Sequence, residues 1–409
     1  MALDAAFLCN PYPRYAQWRE AGPVLWSDAF FQGGWLLTRH DAVEAVLRDA
    51  RLSAQRTAGW VKRIEGGSRR TQMELAAFQH LMASALLFMD EPLHPPLRAV
   101  LMAGFHPAHL QAHVPAITVL VQAHLAAATG PGRDGGLDFM AAIARPLPSH
   151  VTCLLMGIPA TDSPTFMAWS DDLAAFISAP QPSVEQAHAA SCCLLAMRDY
   201  LRDLLAWRRS QRKPEGAMPD LIDRLLMAEA QGLLRTDTDL LAQFAMLLLA
   251  GHETTRNLLG NGVHALLMHP GQWQRLLDQP TLVPHAVREL LRYDSPVQYT
   301  ARRATTDMEL YGQRIGRGEL VVALIGSANR DPARHPCPDT LDVARRGSSH
   351  LAFGRGAHFC IGAGLALMQA EILLTHLLQA WPDLHLHAQP RWNGNAALRG
   401  LAELPVAVG

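Results

Sequence analysis

Apolar side chains recur every three to four positions through most of this 409-residue chain, which is the spacing of amphipathic α-helices. The longest such stretch runs from Thr236 to Met268 and stops before Pro270, because proline disfavours a helical residue in front of it. The same periodicity predicts further helices over Asp41–Asp49, about 108–128, 137–156, 185–207 and 219–230, Leu282–Tyr293 and Gly362–Ala380. The chain is therefore predicted to be mainly α-helical.

Short alternating or continuous apolar runs, which indicate β-strands, are few. Two of them, Val24–Trp26 and Trp35–Thr38, predict an early hairpin. The other strand signals lie in Arg302–Ile315, Glu319–Ile325 and Leu398–Val408. No repeat, low-complexity segment or Gly/Ser-rich linker divides the sequence. We therefore predict one domain over residues 1–409 that is mainly α with small β-sheets.

Composition narrows the class of protein. Apolar residues make up 49% of the chain and charged residues 18%, which is typical of a globular protein. The formal net charge is -1, without the basic excess of nucleic-acid-binding proteins. Met1–Trp18 lacks the pattern of a signal peptide, and the central apolar run Phe244–Gly251 is too short to span a bilayer. We expect a soluble, cytoplasmic protein that binds neither membrane nor nucleic acid.

One cysteine lies in an unusual local sequence. The six cysteines form no CxxC pair, which argues against a disulfide framework and against a structural zinc site. Cys360, however, lies in a segment, 353–362, that reads FGRGAHFCIG. Its glycines permit a tight turn with positive φ, and a helical pattern follows Gly362. A helix N-terminus favours a thiolate, and the small residues would let a flat macrocycle approach. A buried turn cysteine or a nucleophile with a partner base remain alternatives.

The long predicted helix carries four consecutive polar residues in an apolar setting, His252, Glu253, Thr254 and Thr255. Buried polar groups need hydrogen-bond partners, so such a cluster requires a reason. One interpretation is structural, because threonine hydroxyls can bond to carbonyls one turn earlier in a helix. The other is chemical, because a carboxylate next to a hydroxyl suits proton delivery.

These segments resemble signatures of the cytochrome P450 family. The segment around Cys360 resembles the haem-binding loop of that family. Three further motifs follow the expected order: AGHETT at 250–255 resembles the oxygen-binding motif, ELLR at 289–292 the ExxR pair, and ANRDP at 328–332 a stretch common in bacterial members. The resemblance covers nearly the whole chain. It implies a single α-rich triangular prism with small sheets.

The resemblance also implies roles for individual residues. It makes Cys360 the axial ligand to the iron of haem b, where a thiolate helps to cleave the O–O bond. Thr254 would hydrogen-bond dioxygen, and Glu253 would relay protons from solvent. Glu289 and Arg292 would form a buried structural pair. The cations for the haem propionates would be His94, Arg98, Arg302 and His358, of which Arg302 is easily confused with the adjacent Arg303.

The family's substrate region falls on mostly apolar positions, which suits a lipophilic ligand such as a terpenoid, steroid, fatty acyl or polyketide-like molecule. Apolar residues at these positions fit an ordinary core equally well. The predicted lining residues are Leu87, Phe88, Met246, Leu249, Ala250, Val297, Gln298 and Leu398.

Two departures from the bacterial pattern bear on partner docking. The family usually continues Leu-Ala-Arg-x-Glu after the cysteine, whereas residues 365–369 read LALMQ. The pattern Phe-Asp-x-x-Arg begins here with Leu341. Both departures change the surface on the cysteine side, and basic residues near the cysteine loop, such as Arg98 and Arg355, are expected to help to dock an acidic partner.

The activity implied by the resemblance is that of a monooxygenase that hydroxylates or epoxidises its substrate. No glycine-rich phosphate motif of a fused flavin reductase is found, so electrons are expected from a ferredoxin and a ferredoxin reductase. Two alternatives remain at this stage: a haem-thiolate enzyme that catalyses oxidative coupling or rearrangement, and a haem-binding sensor without turnover.

Overall fold

The computed structural model describes residues 3–57, 69–129, 136–178, 183–211, 216, 218–347 and 349–408. The chain divides into two compact units. The first comprises Met1–Leu52, His113–Pro148 and Glu253–Gly409, and the second comprises Ser53–Ala112 and Ser149–His252. This division does not test the prediction of a single domain, which stays a prediction.

The described residues are mainly helical, as predicted. The α-helices are α1 Ala5–Cys9, α2 Tyr12–Ala21, α3 His40–Arg48, α4 Arg69–Ala83, α5 His94–Met102, α6 Pro107–Ala128, α7 Pro146–Met156, α8 Ser163–Ile177, α9 Val184–Ser210, α10 Leu221–Ala230, α11 Asp237–Leu267, α12 Pro270–Asp278, α13 Val283–Tyr293, α14 Ile325–Ala328 and α15 Ala363–Ala380. Short 3-10 turns cover Leu86–Phe88, Ala103–Phe105, Ala160–Asp162, Pro280–Leu282 and Gly356–His358, and a π turn covers Met140–Ala144.

The long helix α11 agrees closely with the predicted stretch. Thr236 and Asp239 begin it with a reciprocal capping box, in which the Thr236 hydroxyl accepts the amide of Asp239 and Asp239 Oδ2 accepts the amide of Thr236, both at 3.1 Å. The helix ends at Leu267, and Pro270 then begins α12 at a position where proline is tolerated.

The prediction of a helix over 137–156 is wrong for the first part of that range. Leu137–Asp138 form a strand, β4, that pairs antiparallel with Pro405–Ala407 at the end of the chain. The carboxylate of Asp138 accepts the amides of Met140 at 3.0 Å and Leu404 at 2.9 Å. This strand depends on a distant partner, which local periodicity does not report.

The strands are β1 Val24–Ser27, β2 Gly34–Leu37, β3 Leu52–Ser53, β4 Leu137–Asp138, β5 Thr300–Ala304, β6 Met308–Leu310, β7 Gln313–Ile315, β8 Leu320–Ala323, β9 His385–Leu386, β10 Arg391–Trp392, β11 Leu401–Glu403 and β12 Pro405–Ala407. The early hairpin β1–β2 and the buried strand β8 are confirmed. The stretch Arg302–Ile315 contains most of β5 and all of β6 and β7, and Tyr311 and Gly312 turn the chain with positive φ between β6 and β7.

The main sheet of the first unit has the order β1-β2-β8-β5-β3. Strands β2 and β8 run parallel in its middle, and β5 pairs antiparallel with β8. Leu36 and Val322 pack in one apolar cluster, while Leu37 and Val321 pack in another. Both faces are therefore covered, which explains the continuous apolar sequence of β8. Full burial of each such side chain contributes about 1.5–3 kcal/mol.

Helix α13, which carries the predicted ion pair, packs against α15, the helix that follows Cys360. Both helices belong to the first unit. In the second unit, α8 and α4 pack on α9, and α5 packs on α10. An aromatic cluster fixes part of this second core, with ring centroids of Phe166, Tyr200 and Phe244 separated by 5.3–6.2 Å.

Among the described residues, α6 and α15 are long and apolar enough to cross a membrane, each with a mean hydropathy of 1.2 over an 18-residue window. Length and composition alone give this result, and the core helices of soluble proteins share both properties. In α15, 44% of that window is buried, and in α6 22% is buried. The expected absence of a membrane anchor stays a prediction.

Candidate functional site

The loop that carries Cys360 is tightly turned and held by its own backbone. The amide of Cys360 donates to the carbonyl of Phe353 at 2.9 Å, and Gly354 and Gly356 have φ of 70° and 73°. A Cβ at Gly356 would lie only 2.7 Å from the carbonyl oxygen of Leu47 on α3. Glycine is therefore required at position 356 both for its φ and for this close approach.

The thiol of Cys360 is exposed, which does not fit the alternative of a buried turn cysteine. Its residue lies three positions before the first helical residue of α15, and its own amide is used within the loop. Cys153 and Cys193 contrast with it, because burial raises the pKa of each of their thiols to about 12. Among these three, Cys360 alone has the exposure that a metal ligand or nucleophile needs.

The ion pair predicted at Glu289 and Arg292 is fully buried. Arg292 donates from Nε to Glu289 Oε2 at 2.7 Å and from Nη2 to Oε1 at 2.8 Å, so the pair is bidentate. Its burial separates it from ordinary surface pairs, because two desolvated charges depend strongly on each other.

A third residue, Arg345, joins this pair and was not singled out from the sequence. Its Nε donates to Glu289 Oε1 at 3.0 Å, and the amide of Asp342 donates to the same oxygen at 3.1 Å. The available signal was the altered pattern at 341–345, which keeps the arginine. Leu341, which begins that pattern, is buried and fills a core position instead.

The ion pair is connected to the start of the cysteine loop through one asparagine. Arg292 Nη1 donates to the carbonyls of Asn329 at 3.0 Å and Pro338 at 2.7 Å. Asn329 Oδ1 in turn accepts the amide of Leu351 at 2.7 Å. Leu351 accepts the amide of Gly354, so the chain of bonds enters the loop itself. These hydrogen bonds link the Glu289–Arg292 pair to the loop that the pair is expected to support.

The ANRDP segment anchors the rest of this region. The guanidinium of Arg330 lies between two tyrosine rings, 4.0 Å from the centroid of Tyr12 and 3.8 Å from that of Tyr293. Asp331 Oδ2 accepts the amide of His40 at the start of α3 at 2.8 Å. Each of these contacts joins residues that are distant in sequence within the first unit.

The predicted propionate cations occupy two elements and one turn. His94 begins α5 with Pro95 and Pro96 in its first turn, so His94 and Arg98 lie on one face of that helix as predicted. In the first unit, Arg302 lies on β5 and His358 lies in the turn before Cys360. Arg302 is buried on its strand, while Arg303 points to the opposite side and donates to the carbonyl of Gly318.

Glu253 on α11 is buried and engaged by two side chains of its own helix. Its Oε1 accepts from Arg256 and, at 3.2 Å, from Asn257 Nδ2. The sequence analysis missed Arg256, although the spacing of i and i+3 with Glu253 was available as a signal. The acid of the predicted proton relay is therefore held in a fixed position by a cation.

One face of α11 is accessible, although most of the helix is buried. Ala250 is exposed, and Leu247, Gly251 and Thr254 are half-buried, whereas the neighbouring residues are buried. Positions 247, 250 or 251, and 254 repeat with helical spacing, so they form one strip. The predicted oxygen-binding residue Thr254 lies on this strip.

The predicted substrate-lining residues differ in how much surface they present. In the second unit, Leu87 is exposed, whereas Phe88, Met246 and Leu249 are buried. In the first unit, Val297 and Leu398 face each other in an antiparallel bridge and are half-buried. Gln298 is buried, and its Nε2 donates to the carbonyl of Ser295 at 2.8 Å and to the Tyr12 hydroxyl at 3.3 Å. The contacts of Gln298 are thus those of a core residue and do not support a lining role.

The residues of the first unit suit a haem group by their chemistry. The exposed Sγ of Cys360 is a soft donor of the kind that binds haem iron. Arg302 and His358 are the cations predicted for the propionates in this unit, and residues 362–364, which read GAG, have small side chains. A thiolate donor, propionate partners and small neighbours are the set that iron protoporphyrin requires.

His350 precedes the cysteine loop, and we expect it to make the free energy of unfolding sensitive to acid. Burial, and then Arg355, Arg288 and Arg292, lower the pKa of His350 to about 4, and its Nδ1 accepts the amide of Ala352. The unfolded chain binds this proton near pH 6.5, so the free energy of unfolding falls as pH drops from 6.5 to 4, by about 3 kcal/mol.

Urea denaturation at several pH values measures this effect. His350→Gln, which has no titrating group, is expected to flatten the fall between pH 6.5 and 4. His285→Gln removes an exposed histidine from α13 and serves as the control. Equal pH dependence in the wild type and in His350→Gln would contradict the prediction.

Comparisons with protein families, with known sequences and with solved structures all identify the same family. The family model described as cytochrome P450 matches residues 68–391. Cytochrome P450 107B1 of Saccharopolyspora erythraea is 35% identical over all of this chain and 98% of that protein, and the monooxygenase PikC of Streptomyces venezuelae is 35% identical over 99% of this chain and 92% of that protein. The crystal structure of P450BioI with a hexadec-9Z-enoic acid-ligated acyl carrier protein has a TM-score of 0.88 and 32% identity, covering 99% of this chain and 100% of that one.

Proposed function

The chain belongs to the cytochrome P450 family and is a haem-dependent monooxygenase, and we propose that Cys360 is the axial ligand of its haem iron. The observation that carries this proposal is the exposed thiol at the tip of a loop that Gly354, Gly356 and the Glu289–Arg292 pair hold in place. Cys153 and Cys193 are too deeply buried for this role.

Four cations would hold the propionates of the haem. They are His94, Arg98, Arg302 and His358, and each would form a charge-assisted hydrogen bond, which is stronger than a neutral one. When bound, the haem supplies the redox chemistry that activates dioxygen, and a thiolate ligand assists cleavage of the O–O bond. The protein's own part is to bind, to orient and to deliver protons.

Proton delivery is assigned to Glu253 and Thr254. The carboxylate of Glu253 is fixed by Arg256 and Asn257, and Thr254 follows it on the accessible strip of α11. In this arrangement the Glu253 carboxylate takes a proton from solvent and donates it to the Thr254 oxygen, while the Thr254 hydroxyl donates its own proton toward the dioxygen substrate.

Thr254→Ala is expected to lower product formation by roughly 10²-fold, the lower end of the range for general acid–base groups. Consumption of reductant falls much less, so the product formed per electron drops. Thr254→Ser, which keeps the hydroxyl, is expected to restore most of the product. The ratio of product to reductant consumed is the measurement, and an unchanged ratio in Thr254→Ala would remove Thr254 from the relay.

The proposed substrate is a lipophilic small molecule of secondary metabolism or catabolism, which the enzyme hydroxylates or epoxidises. Support comes from the apolar residues Leu87, Phe88, Met246 and Leu249, and from the fatty acyl ligand named for the structural neighbour P450BioI. Incubation with ¹⁸O₂ and a panel of fatty acids, steroids, terpenoids and macrolides tests it. A product that carries one ¹⁸O atom supports oxygenation, and a coupled product without added oxygen would contradict it.

The proposed electron donors are a ferredoxin and a ferredoxin reductase in the cytoplasm. The support is that the sequence contains no glycine-rich phosphate motif for a fused reductase. A basic residue near Cys360 such as Arg355 would help to dock an acidic ferredoxin, and the apolar Leu367 and Met368 would change the detail of that surface. Reduction rates with ferredoxin and with flavodoxin, measured at low and high salt, distinguish the donors.

A further inference from the structure

Gln243 on α11 uses both ends of its amide to hold one short segment of the second unit. The side chain is only 1% exposed. Its Oε1 accepts the amide of Leu86 at 2.9 Å, and its Nε2 donates to the carbonyl of Ser84. The α4 helix ends at Ala83, and the 3-10 turn begins at Leu86. One side chain therefore holds the junction between these two elements.

A neutral amide satisfies both backbone groups at once, because it carries one acceptor and one donor end. The carbonyl of Ser84 lies just beyond the end of α4, and the amide of Leu86 lies at the start of a turn, where neither has a partner within its own element. A buried donor or acceptor that is left without a partner carries the full desolvation penalty. An ionised glutamate at position 243 would accept from Leu86 but would not donate to Ser84.

The held segment ends in the residues expected to face substrate. Within it, Ala85, Leu86 and Phe88 are buried, while Leu87 is 36% exposed. Gln243 therefore fixes which apolar side chain the segment presents. A shift of one residue in this turn would exchange Leu87 for a bulkier neighbour, Phe88.

The face of α11 that carries Gln243 also carries two residues of the predicted substrate region. Met246 and Ala250 follow Gln243 at i+3 and i+7 on α11, so all three lie on one face of the helix. Gln243 thus ties the segment with Leu87 to the same helical face that presents Met246 and Ala250. Both sets are predicted to line the substrate region.

We infer that Gln243 is a positioning residue that sets substrate selectivity, because it fixes the segment Ala85–Phe88 against the face of α11 with Met246 and Ala250. The inference rests on the proposed function for the location of the substrate. The hydrogen bonds themselves belong to the fold and are measurable with or without turnover. Gln243 acts through these neighbours and does not touch the reacting atoms.

Gln243→Met removes both bonds with little change in size, and Gln243→Glu keeps the acceptor alone. Gln274→Met, at an exposed position on α12, is the matched control. Hydrogen exchange at the Leu86 amide is expected to be about tenfold faster in Gln243→Met, consistent with the loss of a buried hydrogen bond. Gln243→Glu is expected to leave this exchange closer to that of the wild type.

The second measurement is binding of two probes to the holoenzyme, myristic acid and testosterone, followed by the shift of the haem absorption band. The ratio of their dissociation constants is expected to change at least threefold in Gln243→Met, while the affinity for imidazole stays the same. KM should rise more than kcat falls. Unchanged exchange at Leu86 would overturn the inference, and faster exchange with an unchanged ratio would reduce Gln243 to a purely structural residue.

Failure of the proposed function has a different signature. A wild-type protein without a haem absorption band, or without a shift on adding either probe, would overturn both the proposed function and the selectivity role. A normal wild type with unaltered Gln243 variants would overturn the selectivity role alone.

Discussion

Cys360→Ser is expected to remove the strongly red-shifted Soret band that a thiolate-ligated haem gives in its reduced carbon monoxide complex. Serine is nearly isosteric with cysteine, so the turn with Gly354 and Gly356 should form as before. Its hydroxyl, however, is a weak ligand that does not donate electron density to iron as a thiolate does. Monooxygenase turnover should fall to the level of the protein without haem.

Cys192→Ser is the control for this experiment, because Cys192 is an exposed thiol on α9 in the second unit. Its spectrum and turnover should equal those of the wild type. A red-shifted band that persists in Cys360→Ser would refute Cys360 as the ligand. A wild-type band typical of histidine ligation would refute thiolate ligation altogether.

Glu289→Ala is expected to destabilise the fold by about 3–5 kcal/mol, the cost of leaving a buried charge without its partner. Both Arg292 and Arg345 donate to this carboxylate, so its removal leaves two guanidinium groups facing each other in the interior. The bonds from Arg292 through Asn329 to Leu351 should loosen as a result. We expect the variant to lose haem, measured as bound haem per protein, as well as stability in urea.

Asp199→Ala provides the contrast, because Asp199 and Arg202 form an exposed i, i+3 pair at 3.4 Å on α9. Exposed pairs contribute less than about 1 kcal/mol, so the urea midpoint should hardly move. Glu289→Gln keeps the shape of the side chain but replaces one acceptor oxygen with an NH2 donor and removes the charge, so it should fall between the two. Normal haem content in Glu289→Ala would show that the pair does not brace the cysteine loop.

Local pattern predicted the elements whose stabilisation is local. The capping box at Thr236 begins α11, and the hairpin β1–β2 pairs neighbouring strands, so both were predicted within a few residues. Strand β4 was missed, because it is formed by pairing with β12 near the end of the chain. The same limit hid Arg345, since its contact with Glu289 joins two separate segments.

In the candidate site, too, local features were predicted from the sequence and long-range contacts were not. The turn at Gly354 and Gly356 was predicted from glycine chemistry, and the structure has the positive φ at both positions. The core contacts of Gln298 could not be predicted, because a glutamine in a mostly apolar stretch has the same sequence pattern whether it lines a pocket or bonds to Ser295. The roles of Thr254 and the propionate cations rest on the resemblance and stay predictions.

The parallel pairing of β2 with β8 has a consequence for biosynthesis. Trp35 is paired with Val321, so the hairpin at the start of the chain lacks its central neighbour until most of the protein has been translated. At the usual rate of synthesis, about 290 intervening residues take about 15–60 s. During that interval the apolar clusters of Leu36 and Leu37 lack Val322 and Val321, so the inner edge of β2 and part of its apolar surface are open on the ribosome, where a chaperone can bind them.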